Sequence, residues 1–337
     1  MSKWLLRGSF SALKWLLCGV GAIALLLTAL IAAPLTRPPE LHSISDGGRG
    51  SVDMSTLPPI ERFQARDGTE LGFRHYAPAG PATGRGAIVV HGSTGSSGTR
   101  IRALSSALAA RGVETWAIDI RGHGVSGTRG DIAYVGQLED DLADFVAVVR
   151  KTNPSVPLTL IGHSAGGGFA LRVAASPIQN LFARTVLLAP YLGYNAPTNR
   201  PKSGGWASAD IPRFIGLGIL RRIGIDCCGS LPVLAFAVPP NSERFQTGIY
   251  SDRLMRNFAN HPDYRGDFAA VTRPMTIYSG ADDELMLADK YVDAVRDIAP
   301  AIDVKLIDGV NHMGIVSAPK ALSVIADDVA TRGMAGS

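Results

Sequence analysis

Gly162-His163-Ser164-Ala165-Gly166 is where this chain concentrates reactive side chains and glycine. The apolar run Leu158 to Ile161 precedes it and a helical pattern follows, so a strand should enter the pentapeptide and a helix should leave it. Glycine on both sides of a serine is what a sharp strand-to-helix turn requires: neighbouring backbone comes too close for side chains, and the strained turn lifts Oγ clear of the sheet. A plain N-cap serine at a glycine-rich helix start is the competing reading. The position between a β run and an α run, inside an alternating pattern, favours a nucleophile.

A serine hydroxyl attacks a carbonyl only when a base removes its proton, and a histidine base needs an acid to fix its tautomer. Both partners are expected downstream at strand ends, acid before histidine. After Met275 to Ser279 comes Gly280-Ala281-Asp282-Asp283-Glu284, and after Val304 to Ile307 comes Asp308-Gly309-Val310-Asn311-His312. His312 is the expected base. His42 falls in a tether, His75 near an early hairpin, and His261 in an inserted segment; His91, His123 and His163 belong to motifs with other roles. For the acid, Asp283 is preferred, with Asp282 as a solvated loop neighbour and Asp303 and Asp308 as polar punctuation around the next strand.

An oxyanion forming at the attacked carbonyl needs two backbone N–H donors. Ala165, directly after the nucleophile and at the positive end of its helix, should supply one. The other should come from the loop after Gly86 to Val90, which reads His91-Gly92-Ser93-Thr94-Gly95, with Ser93 as the expected donor. The stretch GSTGSSGTR lacks the Lys-Ser/Thr ending of a phosphate-cradling loop.

The elements that must position these groups alternate. GAIVV at 86 to 90 reads as a buried strand, Ile101 to Ala110 as an amphipathic helix, Val113 to Ile118 as a strand, Leu138 to Val149 as a helix and Leu158 to Ile161 as a strand. Thr185 to Leu188, Met275 to Tyr278 and Val304 to Ile307 continue the strands, and a helix from Pro319 to about Thr331 closes the chain. Such alternation means βαβ crossovers and a mostly parallel sheet covered on both faces. ERFQARDGTELGFRHYAP, with Asp67-Gly68 at its centre, reads as an opening β-hairpin. The interval 191–273 breaks the rhythm; it carries IPRFIGLGILRRIG and LPVLAFAV and should be a helical insertion capping the site. IPRFIGLGILRRIG reads as an internal cap helix, with a membrane-surface helix as the alternative.

Trp15 to Ala33 contains no charge, long enough at about 1.5 Å per residue to span most of a hydrocarbon core. It reads as a membrane anchor rather than a cleaved signal, since Pro34 follows where a small-residue cleavage site would stand. Lys3, Arg7 and Lys14 precede the run without an acid, so the N-terminus should stay cytoplasmic and the catalytic part should be extracytoplasmic. The expected organisation is a stub and transmembrane helix over 1–35, a linker over 36–59 and a folded domain over 60–333. The net charge of +4 comes partly from those three basic residues and forms no basic stripe, so nucleic acid is not an expected partner. Cys18, Cys227 and Cys228 lack the spacing of a disulfide framework or zinc site. No metal or organic cofactor is expected.

Taken together, the HGS loop at 91 to 93, Asp119-Ile120-Arg121-Gly122-His123-Gly124-Val125-Ser126, GHSAG at 162 to 166, GADDEL at 280 to 285 and NHMG at 311 to 314 resemble the α/β-hydrolases. The nearest branch is that of monoacylglycerol lipases, lysophospholipases and serine aminopeptidases. The resemblance covers residues 60 to 333 in the family's order. It implies an α/β-hydrolase fold with a cap between the sixth and seventh strands, and it selects Asp283 through the family's G-x-x-D turn. It also implies ester hydrolysis, with a monoacylglycerol or lysophospholipid as the leading substrate expectation. Small-ester and peptide hydrolysis are alternatives within the fold, and a non-catalytic, membrane-tethered binding protein is the alternative outside it. The N-terminal apolar helix and a cap without a family motif are departures from the pattern.

Overall fold

An apolar pentapeptide with no polar face belongs in the middle of a sheet covered on both sides. In the computed structural model, which describes residues 2–41, 44, 57–239 and 246–332, GAIVV is β3 (Gly86–Val90) and every one of its residues is buried. An antiparallel hairpin, β1 (Glu61–Gln64) and β2 (Glu70–Tyr76), opens the sheet, with Gly68 taking the left-handed turn at φ 84°. Beyond it, β4 (Glu114–Ile118), β5 (Leu158–His163), β6 (Arg184–Leu188), β10 (Met275–Gly280) and β11 (Asp303–Ile307) run parallel with β3. The eight strands lie in the order β1-β2-β4-β3-β5-β6-β10-β11.

Helices α2 (Ile101–Ala110), α3 (Gln137–Thr152), α4 (Ala165–Ala174) and α9 (Pro319–Thr331) cover the sheet. Their buried positions follow the helical period, as with Leu138, Leu142, Phe145, Val146 and Val149 on α3. The chain leaves β3 toward β4 on one side and returns to β5 on the other. The loops after β3 and β5 therefore meet where the strand order reverses, the place where open parallel sheets form a crevice at their carboxyl ends.

The insertion after β6 is not purely helical, which corrects the expectation for 191–273. Three short strands, β7 (Ala207–Ala209), β8 (Pro232–Phe236) and β9 (Ile249–Ser251), form a separate antiparallel sheet. Around it are α5 (Ile211–Arg222), α6 (Asp252–Asn257) and α7 (Tyr264–Ala270). LPVLAFAV is the central strand: Val233, Ala235, Phe236 and Ala237 are buried, and its backbone pairs on both edges.

Helix α1 (Ser2–Ile31) precedes the domain. Its segment Leu13–Ile31 has a mean hydropathy of 2.1 over 19 residues and is long and apolar enough to cross a membrane. Most of the expected linker (42, 43 and 45–56, including His42) and residue 333 lie outside the described residues. The linker's described part is packed rather than free. The Leu41 N–H donates to the Ala237 carbonyl, and Ile44 is buried in the core. Between β10 and β11 the short helix α8 (Tyr291–Val295) buries Tyr291 with its hydroxyl on the Pro190 carbonyl.

Candidate active site

Ser164 stands between β5 and α4 with φ 56° and ψ −119°, a backbone conformation that costs a non-glycine residue energy unless its surroundings enforce it. The enforcement is local. Its N–H donates to the Leu188 carbonyl at 2.9 Å, and its carbonyl accepts from Gly168 and Tyr191 at 3.0 Å each. Close approach explains the flanking glycines: a Cβ on Gly162 would lie 2.1 Å from the Gly166 oxygen, and one on Gly166 would lie 2.2 Å from the His91 oxygen.

His312 reaches this serine from the loop after β11, with Nε2 3.0 Å from Ser164 Oγ and Nδ1 2.8 Å from Asp283 Oδ2. A carboxylate only accepts, so the proton sits on Nδ1 and the lone pair of Nε2 faces the serine hydroxyl. That is the tautomer a general base needs. The other Asp283 oxygen accepts from the N–H groups of Leu285 and Met286 at 2.8 and 2.7 Å, which fixes the carboxylate beside His312. Asp282 is exposed and points away; its N–H donates to the Val310 carbonyl. All three members of the Ser164, His312 and Asp283 chain are buried.

Ser93, in the loop after β3, lines the same cavity as Ser164, and Ala165 follows Ser164 at the first position of α4. The first N–H groups of a helix have no partner within it, and Ala165 holds the first position of α4. Ser93 is held by three groups that motif reading did not single out or assign. Tyr250 donates its hydroxyl to the Ser93 carbonyl, His123 Nε2 lies 2.8 Å from that same oxygen, and Trp206 Nε1 donates to Ser93 Oγ at 3.1 Å. Tyr250 and Trp206 come from the cap, separated from Ser93 by more than a hundred residues of chain, so no local pattern signals them. Asp119 ties the same loop to the Arg121–Ser126 segment, accepting from Ser97 at 2.5 Å and Val125 at 3.0 Å.

Two further residues support the base. The N–H of His312 donates to Glu284 Oε2 at 2.9 Å, and the carbonyl of His312 accepts from His163 Nε2 at 3.2 Å. Burial pushes three histidines around the crevice toward the neutral form: His91 to about 4, His123 to about 3, and His163 well below the usual imidazole range. For His91 the geometry agrees, since Nδ1 donates to the Gly92 carbonyl at 2.7 Å and Nε2 accepts from Ile120 N–H at 3.2 Å. His261, in the cap, pairs with Asp267 at 2.7 Å, and His75 with Glu114 at 3.1 Å, both away from Ser164. Ser164 and His312 open on a cavity of about 50 Å³, also lined by Trp206, Ile44, Arg100 and Leu285. Among the described residues no three His, Cys, Asp or Glu side chains are grouped to hold a metal.

The sheet order, the crevice and the strand-to-helix turn define an α/β-hydrolase fold. A yeast monoglyceride lipase, solved as a soluble variant with a substrate analogue, superposes with a TM-score of 0.58 at 18% identity, covering 82% of this chain and 94% of that one. The sequence model described as serine aminopeptidase, S33, matches residues 84–221. Mouse monoglyceride lipase is 32% identical over 125 residues, 37% of this chain and 40% of that protein. The 30 kDa magnesium-chelatase subunit of Rhodobacter capsulatus is 26% identical over 262 residues, 74% of this chain and 88% of its own. The chain spans about two fifths of the monoglyceride lipases it matches. The chain has the α/β-hydrolase fold, and over residues 84–221 it is similar to the branch described as serine aminopeptidase, S33.

Proposed function

We propose that the chain is a serine hydrolase acting on carboxylic esters with lipid-like acyl groups, monoacylglycerols or lysophospholipids in particular. The observation that carries this reading is the unbroken relay from Ser164 Oγ through His312 to Asp283, with separations of 3.0 and 2.8 Å. In the first half-reaction Ser164 Oγ attacks the ester carbonyl as its proton passes to His312 Nε2. The Ser93 and Ala165 N–H groups bind the oxyanion, and His312 then returns the proton to the leaving alcohol. In the second half-reaction water attacks the acyl-serine with His312 again as base, releasing the acid and restoring Ser164.

The lipid-like substrate is supported by the monoglyceride lipases among the relatives and by the apolar helix α1 that precedes the domain. In this reading α1 anchors the protein in a membrane, the basic residues Lys3, Arg7 and Lys14 stay on the cytoplasmic side, and the hydrolase domain is extracytoplasmic. A non-catalytic hydrolase-like protein is the second reading; a long match to a protein named for magnesium chelation keeps it in view. An intact relay favours the enzyme.

The test is labelling of the detergent-solubilised chain with a fluorophosphonate, alongside hydrolysis of p-nitrophenyl esters of graded length. Labelling that vanishes in Ser164→Ala, with turnover rising from acetate toward long chains, is the expected result. A folded wild-type protein that is not labelled would remove the enzyme reading, and a preference for acetate would move the substrate to small esters.

A further inference from the structure

Helix α5 of the cap presents to solvent what a globular domain ordinarily buries. Ile211, Ile215 and Ile219 recur every fourth residue, and Ile223 and Ile225 follow its last turn; they are 58, 51, 39, 62 and 46% exposed. At about 100° per residue, the first four share roughly one third of the helix circumference. The opposite side carries the buried Arg213 and Leu217.

The neighbour of this arc is the end of α1. Gly216 lies against Leu30 and Ile31, close enough that an added Cβ would meet Ile31 at 2.9 Å. Arg213, itself buried, donates from Nε to the Ile31 carbonyl at 2.7 Å and from Nη2 to the Ala33 carbonyl. Ile31 is also the last residue of the apolar segment of α1. The isoleucine arc therefore begins where that segment ends.

We infer that α5 lies flat in a lipid bilayer surface, with its isoleucines among the acyl chains and its depth set by the Arg213 grip on α1. The inference rests on the reading of α1 as a membrane helix. A lipid surface is the occupant, rather than a second copy of the chain, because the arc continues the apolar surface of α1. The charge agrees: Arg213 is taken up by α1 and Arg221 by Asp252, and Arg222 stands exposed within the arc where an anionic headgroup would meet it. Trp206, shortly before α5, lines the cavity at Ser164, so an ester leaving the bilayer reaches the serine along the edge of the cap that faces the lipid.

The experiment uses the full chain in vesicles of equal parts phosphatidylcholine and phosphatidylglycerol. With Cys18, Cys227 and Cys228 replaced by serine, an NBD fluorophore is attached at Ile219→Cys or, as a reference on the far side of the domain, at Lys151→Cys. A blue-shifted emission at 219, quenched by nitroxide-labelled lipid, with no change at 151, is the expected result. Equal emission at the two sites in vesicles, or a blue shift at 219 in detergent that grows with protein concentration, overturns the inference; the second outcome would mean self-association. Sedimentation of the vesicles tests the anchor separately, because a chain that fails to co-sediment removes the reading on which the inference rests. In Ile215→Asp/Ile219→Asp, hydrolysis of a long-chain monoacylglycerol held in the vesicles should fall by about tenfold or more, with p-nitrophenyl acetate hydrolysis unchanged. Equal losses on both substrates would overturn the role assigned to the arc.

Discussion

The hydroxyl of Tyr250 donates to the carbonyl oxygen of Ser93, so a residue of the cap's small sheet holds the loop that faces the nucleophile. The cap is thereby more than a cover: it holds the backbone of the loop that lines the cavity beside Ser164. Tyr250→Phe removes one of two donors to that carbonyl and leaves His123 as the other. Turnover of a soluble ester should fall about tenfold with KM nearly unchanged, and unfolding free energy should drop by about 1 kcal/mol. Steady-state kinetics and a urea melt of the variant check both.

The two adjacent aspartates should separate by magnitude. Asp283→Asn turns an acceptor toward His312 Nδ1 into an amide and disturbs the tautomer, for which a loss of about 10⁴ in kcat is expected. Asp282 is exposed and makes no side-chain contact with His312, so Asp282→Asn should stay within about twofold of wild type. A large loss at Asp282 and a small one at Asp283 would reverse the assignment.

Acid should destabilise the domain before it protonates most carboxylates. His91, pushed to about 4, and His123, pushed to about 3, are neutral in the fold, whereas in the unfolded chain each titrates near 6.5. The unfolded state therefore binds more protons below that value. The stability these groups contribute is complete above about pH 6.5 and is lost as pH falls toward their folded values, at about 1.4 kcal/mol per pH unit for each imidazole. Unfolding free energies from urea melts between pH 7 and pH 4 should show this slope. A flat profile would mean that one or both rings are charged in the native protein.

Gly162→Ala places a methyl group 2.1 Å from the Gly166 oxygen, a backbone atom that cannot turn aside. The variant should lose about 3 kcal/mol or fail to accumulate as folded protein, since relief requires moving β5 or α4. Gly218→Ala, on α5 with open space at its Cβ, is the control and should fold normally. Comparing the two by thermal melts isolates the steric effect from loss of glycine as such.

Much of the sheet is legible in the sequence because its strands are buried on both faces and leave apolar runs. GAIVV and the α2 segment have the same limits in sequence and structure, while Leu158 to Ile161 is extended by Gly162 and His163, whose small or motif-bound side chains hide their strand character. The strands of the cap are not legible in the sequence because β7 and β9 are three residues each, too short for an alternating pattern to register. Among the residues around Ser164, the strand-end positions of the acid and the histidine can be located from chain order. The contributions of Tyr250, Trp206 and Glu284 cannot, since each depends on how distant segments pack. Asp282 and Asp283 differ by one position, which periodicity does not resolve; a side chain direction does.

Arg213 spends its guanidinium on the carbonyls of Ile31, Ala33 and Pro232. Cutting the chain at the domain boundary, beyond Ala33, to obtain a soluble enzyme would leave the relay at Ser164 untouched but withdraw two of those three acceptors. The buried guanidinium would keep Asp210 and the Pro232 carbonyl but have only water in place of its other two partners. The natural cut lies upstream, inside the helix, where a few retained turns keep the clasp closed; a protein trimmed flush to the domain should melt earlier than one that keeps them.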